Sequence, residues 1–220
     1  MDMAFVLSRR MEVRPWELDA AIEDAVDIAQ RYLRSTGLPI VLLRPVAGDV
    51  IGALWVTQFA PDLESLAAAQ AAFSALSDAR AQLNQLWQQR LVGPVEQQLY
   101  EVIRGPDFGP GAEGEAPPVP CRFYGVTRAR VAMGEIDEAL ALAIDFAELL
   151  EHHAEQRSIV TTAYTGPFVE AVITVGQHSV SHYEETRRRV QLDPTVSTLL
   201  KRAAALRATG DQLLLQSIDW

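Results

Sequence analysis

The feature that most limits what this chain can fold into is an internal repeat, because a duplicated chain must fold as two copies of one unit. Residues 17–29 (ELDAAIEDAVDIA) lie over residues 135–147 (EIDEALALAIDFA) at a shift of 118. Six of the thirteen positions are identical: Glu17/Glu135, Asp19/Asp137, Ala21/Ala139, Ala25/Ala143, Asp27/Asp145 and Ala29/Ala147. Four more exchange one apolar side chain for another. The same shift pairs Arg10 with Arg128, Val13 with Val131 and Gly48 with Gly166. EQQLYEVI (96–103) lies over DQLLLQSI (211–218) at a shift of 115. Three blocks in one order make the chain a tandem duplication. Between the copies, residues 105–120 hold five prolines and four glycines in sixteen positions, a composition that denies regular structure. The expected organisation is therefore a first repeat over 1–104, a Pro/Gly linker over 105–120 and a second repeat over 121–220.

Each copy reads as the same succession of elements. In the first, residues 4–13 are extended. A helix follows from Trp16 to about Ser35, with Leu18, Ile22, Val26, Ala29 and Leu33 as its stripe and Gly37 as its stop. Residues 39–46 and 50–59 flank Ala47-Gly48-Asp49 as a hairpin. Asp62 offers an N-cap to one helix, and Ser77 or Asp78 to another with Leu83, Leu86 and Trp87 on one side. Gly93-Pro94 stops it before a last strand. In the second copy a strand at 122–131 precedes a helix at 135–155 and two strands around Gly166-Pro167. Helices start near Ser181, which has capping-box spacing with Glu184, and at Asp193-Pro194. Gly210 ends the last helix ahead of a closing strand. Each half is β-α-β-β-α-β with its second helical region split in two.

The hairpin strands are apolar on both faces, as in Ile40-Val41-Leu42-Leu43 and Ala171-Val172-Ile173. A sheet with helices on one side and water on the other alternates instead. The face away from the helices therefore also needs cover, which two such sheets can give each other. The expected fold class is α+β, two ferredoxin-like repeats fused in one chain with their sheets packed face to face as an eight-stranded α+β barrel.

This order of elements, over 4–103 and 122–218 with the linker between, resembles the dimeric α+β barrel superfamily in a fused, two-copy form. That superfamily includes cofactor-independent antibiotic-biosynthesis-type monooxygenases, stress-responsive and EthD-like proteins, polyketide cyclases and haem enzymes related to chlorite dismutase. The resemblance implies a ligand cavity in or beside the barrel and does not select a chemistry.

All but one of the nineteen basic residues are arginine, the exception being Lys201. Arg10 and Arg128 occupy equivalent first-strand positions, and Arg44 interrupts an apolar strand. An arginine facing a barrel interior must be paired or must meet an anionic ligand, because burying it alone is costly. Protein partners within reach are Glu12, Glu101 and Glu170; the alternative partner is a carboxylate, enolate or phenolate ligand. Tyr164, on a locally polar strand after Thr161 and Thr162, adds a hydrogen-bonding group. Arg10, Arg44, Arg128 and Tyr164 are the candidate catalytic residues. Trp55, Tyr100 and Tyr124 also lie on strands, while Trp16 and Trp87 read as core.

His178 and His182 have metal-ligand spacing, but a helix starting at Ser179 or Ser181 separates them, and no third ligand is fixed nearby. His152 and His153 suit a helix C-terminus, and Arg187-Arg188-Arg189 suits a solvated helix face. The lone Cys121 excludes a disulfide framework and a cysteine zinc site. Glycine-rich dinucleotide and phosphate loops, the Gly-x-Ser-x-Gly elbow and His-Glu-x-x-His are all missing. The expectation is a site without metal or cofactor. A haem would need one of the four histidines as axial ligand, and none falls in a predicted strand. The formal charge of −10 argues against a nucleic-acid partner. No apolar run reaches membrane-spanning length, and the N-terminal charges follow the apolar residues, the wrong order for a secretory signal. The expected protein is cytoplasmic, with a small apolar or aromatic ligand; a further homodimerisation of the fused pair stays open. Three functions compete: a monooxygenase- or cyclase-type enzyme on an apolar aromatic or polyketide-like substrate, a non-catalytic binding or assembly module, and, behind these two, a haem-binding barrel.

Overall fold

The computed structural model describes residues 4–50, 52–105, 121–165 and 168–219, and their side chains except those of residues 79, 80, 87, 133, 164, 165 and 168. The Pro/Gly linker from residue 106 to 120 and the Gly166-Pro167 turn lie outside the described residues, as does the side chain of Trp87. The first copy runs β1 (Phe5–Glu12), α1 (Leu18–Thr36), β2 (Ile40–Ala47), β3 (Ala53–Ala60), α2 (Leu63–Ser74), α3 (Ser77–Arg90) and β4 (Glu96–Arg104). The second runs β5 (Phe123–Ala132), α4 (Ile136–Ala154), β6 (Ser158–Thr165), β7 (Phe168–Gln177), α5 (Val180–Leu192), α6 (Pro194–Ala205) and β8 (Thr209–Ser217). These are two ferredoxin-like β-α-β-β-α-β sets, each with its second helical region split. The strands follow the hydrogen-bonded order β1-β3-β2-β8-β5-β7-β6-β4, a closed barrel.

The chain divides into two compact units. The first holds the elements up to Tyr100 and takes in Gln216 onward; the second holds Glu101 onward and ends at Leu215. In the first, β1 pairs antiparallel with β3 from Phe5↔Ala60 to Glu12↔Ala53, and β2 pairs with β3 from Ile40↔Gln58 to Leu43↔Trp55. In the second, β5 pairs with β7 from Phe123↔Gln177 to Ala132↔Phe168, and β6 lines the other side of β7. The last residues of β4 also join β6, with Glu101 opposite Thr162.

Both sheet faces are buried, as their lack of alternation predicts. On β1–β3, Met11, Leu42 and Leu54 face the helices and belong to the core beneath them. The opposite pleat carries Val6, Leu43 and Phe59, which are buried too. On β7, Ala171, Ile173 and Val175 pack under α4, while Val172 on the other pleat is also buried.

The helix α1 sits about one residue away from the expected stripe. Its buried residues are Ala21, Ala25, Ala29 and Tyr32, with Leu18, Ile22 and Val26 packed at the flanks and Leu33 exposed. In α4 the buried set is Ala139, Leu142, Ala143, Ala147 and Ala154. The repeated alanines thus form the seam of closest approach to each sheet, where a larger side chain would force the helix off. Charged clamps fix the same helices. Arg90 at the end of α3 donates to Glu17 and Asp24, and Arg202 of α6 donates to Glu138 and Asp145.

Several local expectations hold. Asp62 accepts from the Ser65 amide and Asp193 from the Thr195 amide, each as an N-cap, and Pro194 opens α6. Others need correction. Ser179, not Ser181, caps α5, accepting from the His182 amide. The hairpin turn reaches through Gly52, so Val50 is exposed and β3 starts at Ala53. Gly210 lies within β8, since α6 already ends at Ala205. Trp16 is 79% exposed rather than core, because the turn it occupies precedes α1 and packs no apolar face. Among the described residues no helix is long and apolar enough to cross a membrane.

Gly37 ends α1 with φ +70°, its amide bonded to the Leu33 carbonyl, and nothing lies within 4 Å of where a Cβ would sit. Strain alone then decides the substitution. Gly37→Ala is expected to cost about 1 kcal/mol in urea unfolding. Gly93→Ala, with equal space and no left-handed backbone, should leave stability unchanged or slightly raised. Equal losses in the two variants would contradict this assignment.

Candidate functional site

Neighbouring residues of a strand point to opposite faces, so Arg9 and Arg10 have different surroundings. Arg10 shares its face with Trp55, its partner across β3. Its guanidinium reaches Asp49 at 2.7, 3.0 and 3.2 Å, Glu12 at 2.8 Å and Glu96 at 3.3 Å. Asp49 also accepts from Trp55 Nε1 at 2.9 Å and from the Val50 amide at 2.7 Å. Burial by itself would raise the Asp49 carboxyl, but the Arg10, Val50 and Trp55 donors outweigh it and hold it below the usual range. The hydrogen bonds to Asp49 first of all, opposed by burial and joined by Glu12, keep Arg10 firmly protonated. The residue that reads as a turn position in the sequence is thus the main counter-charge of Arg10.

The other sequence candidates are dispersed. Arg128 grips Asp211 with Nε and NH2 at 2.8 and 2.6 Å. Glu170 takes Arg130 at 2.5 Å. Arg44 is exposed, and donates to the side-chain amide of Gln216 at 3.1 and 2.9 Å. The backbone of Tyr164 pairs with Val169 in the hairpin, but its side chain lies outside the described residues. No described contact joins any two of Arg10, Arg44 and Arg128. Tyr124 is buried, and burial, with the Cys121 thiol adding to it, pushes its phenol up to about 12. Arg187, Arg188 and Arg189 pair with Glu184 and Glu185 along one exposed helix face.

The histidines gather at the end of α4 and the start of α5. His153 Nε2 meets Asp193 at 2.9 Å, and His178 Nε2 meets Gln156 at 3.0 Å. His182 lies in the first turn of α5, with its ring 5.2 Å from that of His178. Burial first, then the neighbouring His178 and Arg189, lower the basicity of His182. Among the described residues no cluster of three His, Cys, Asp or Glu side chains could hold a metal ion. None of the four histidines lines either cavity described below, so a histidine-ligated haem does not fit there.

Each unit has a cavity between its sheet and its helices. That of the second unit measures about 460 Å³ and is mostly apolar, with Val131, Leu142, Phe146, Ile173, Leu199 and Ala203 in its wall. Arg128 and Asp211 stand at its rim beside Gly210, whose missing Cβ would lie 2.2 Å from the Arg128 carbonyl oxygen. The cavity of the first unit measures about 410 Å³. Into it projects Arg9, the guanidinium that does not emerge as a candidate from the sequence. It donates to Gln97 at 2.8 Å, Gln58 at 2.8 Å and Gln70 at 3.3 Å, all neutral amides. The signal was present in principle: two adjacent strand arginines cannot both face away from the helices.

No family model and no curated protein sequence matches the chain. Solved structures do. An anthrone oxidase-like protein aligns with TM-score 0.62 over 100% of this chain and 92% of its own, at 14% identity. A candidate monooxygenase from Fusobacterium nucleatum aligns with TM-score 0.59 over 99% and 97%, at 9% identity. A haem-binding protein from Thermus thermophilus aligns with TM-score 0.52 over 100% and 92%, at 14% identity. At such identities the likeness establishes the fold alone: an α+β fold of two ferredoxin-like repeats joined in one chain.

Removing Asp49 should expose what the Arg10 cluster contributes. Asp49→Ala is expected to cost about 2–3 kcal/mol in urea unfolding, less than the ~3–5 for a fully buried pair because Glu12 and Glu96 remain. The folded Asp49 carboxyl is depressed, so its contribution is complete above the unfolded value near ~4 and fades as pH falls through the folded value. Wild-type stability should therefore drop more steeply than that of Asp49→Asn between pH 5 and 3. Parallel pH profiles would contradict the assignment.

Proposed function

We propose that the chain is a small-molecule-binding protein whose second unit takes up an apolar, aromatic-sized ligand. The observation that carries this reading is the cavity beneath α4 and α6, whose volume is in the range of small-molecule sites. A ligand of two or three fused rings would gain about 25 cal/mol for each Å² of apolar surface it buries there. The polar groups at the rim, Thr127, Thr209 and Gln212, would orient a carbonyl or hydroxyl of the ligand.

Binding without chemistry is favoured over catalysis by the state of the charged groups. The one carboxylate in that wall, Asp211, is engaged by Arg128, which leaves no free general base among the described lining residues. Arg10 and Arg130 are likewise held by carboxylates rather than poised for an oxyanion. The second reading, cofactor-independent oxygenation, draws on the names of the structural neighbours. It would convert an activated ring methylene to a carbonyl with one molecule of dioxygen, releasing water, as in anthrone to anthraquinone.

Titration of the purified full chain with anthrone or 1-naphthol, followed by ligand fluorescence, tests the binding reading. Ala203→Trp, which fills the cavity from α6 without entering the fully buried core, is expected to weaken binding at least tenfold with the far-ultraviolet spectrum unchanged. Binding that is unaffected by Ala203→Trp would contradict the location. An oxygen electrode separates the two readings: the binding reading expects no anthrone-dependent oxygen uptake above the spontaneous rate. Uptake that disappears in Ala203→Trp would establish the oxygenase instead.

A further inference from the structure

The first unit carries a second cavity of different chemistry. Its walls come from the helix face of β1–β3 and from α1, α2 and α3, with Met11, Ile28, Val56, Phe73, Leu83 and Leu86 supplying apolar surface. Two polar features interrupt that surface. The Arg9 guanidinium is one. The amides of Gln58, Gln70 and Gln97 are the second, and Gln70 also donates to Gln58 at 2.9 Å, which fixes both. Tyr32 adds its ring to the wall, with its hydroxyl buried away from the open space.

These groups leave a deficit of negative charge. Among the described residues Arg9 meets three amide oxygens and no carboxylate, whereas Arg10, one residue away, meets three carboxylates. Burial weakens the hold of Arg9 on its proton, and the charge of Arg9 in turn acts on the Tyr32 phenol, which burial otherwise raises. A guanidinium has five N–H donors. Three of those of Arg9 are engaged by the glutamines, which leaves one hydrogen on each terminal nitrogen, a number that suits the two oxygens of a carboxylate. A stray cation in a half-buried apolar pocket is normally selected against. One held in place by three oriented amides is a preorganised receptor.

We propose that the cavity of the first unit is a binding site for a small amphipathic carboxylate, an arylalkanoate or medium-chain acid, whose head group is gripped by Arg9. The carboxylate supplies the missing charge. The ring or chain lies against Met11, Phe73 and Leu86. The neutral amides tune the site. They orient Arg9 without cancelling its charge, as a carboxylate partner would. This site is independent of the cavity in the second unit and shares no residue with it.

The test is isothermal titration calorimetry of the full chain with 3-phenylpropionate and with 3-phenylpropionamide, which match in shape and differ in charge. The acid is expected to bind at least tenfold more tightly than the amide. Arg9→Met should abolish that preference. Equal affinity of acid and amide for the wild-type protein, or no binding of the acid, would overturn the proposal, and neither result depends on a variant folding. Location is read separately from protein labelled with 13C in the methionine methyl groups. The Met11 signal, assigned by its loss in Met11→Leu, should move on addition of the acid. A response from another methionine with Met11 unmoved would also overturn the proposal. Ala203→Trp should leave binding of the acid unchanged.

Discussion

Everything distinctive about this chain follows from how a pleated strand treats two consecutive charges. β1 must send Arg9 and Arg10 to opposite faces, and only one face is supplied with carboxylates. Arg10 meets Asp49, Glu12 and Glu96, and the cluster also recruits the indole of Trp55. It is a structural joint between β1, the β2–β3 turn and β4. Arg9 goes beneath the helices, where the protein offers it amides alone. The same residue type thus serves as a fastener on one pleat and as a charged lining of a cavity on the next.

The helix seams set the space in which this matters. Ala21, Ala25 and Ala29 bring α1 close to its sheet, and Ala139, Ala143 and Ala147 do the same for α4. These are the positions that the two copies share, so the repeat preserves the closest helix–sheet contacts first. The cavities open along these seams, that of the first unit beside Ala25 and that of the second beside Ala139 and Ala143. The copies then differ in what fills the gap. The first unit places Arg9, Gln58, Gln70 and Tyr32 around it, whereas the second places Leu142, Phe146, Ile173 and Leu199. The two copies thus share a scaffold and line their chambers with different side chains.

Much of the scaffold is legible in the sequence. The repeat, the order of elements, the caps at Asp62 and Asp193 and the two-sided apolar strands are local patterns, and local patterns survive folding. The alanine seam was harder to read, because hydrophobic periodicity weights Leu18, Ile22 and Leu33 above the small residues that actually allow close approach. Trp16 reads as core by residue type, yet its place in the turn before α1 leaves it outside. The site was less legible still. Equivalence across the repeat singles out Arg10 and Arg128, and the block that lays Glu96 over Asp211 supplies an acid partner to each, while Asp49, the main partner of Arg10, sits in a turn that no repeat position marks. Arg9 has no such symmetry. Its significance lies in which groups are absent around it, and that depends on the register of β3 and β4 and on the seat of α2.

The most direct measurement is anomalous diffraction from crystals of the full chain soaked in 3-(4-bromophenyl)propionate. A bromine peak enclosed by Met11, Phe73 and Leu86, with the carboxylate on the Arg9 guanidinium, is the result this account requires. Bromine found only elsewhere, with the space beside Arg9 closed by protein side chains or the guanidinium turned onto an acid of the chain, would show that Arg9 is one more fastener and that the first chamber has no ligand to hold.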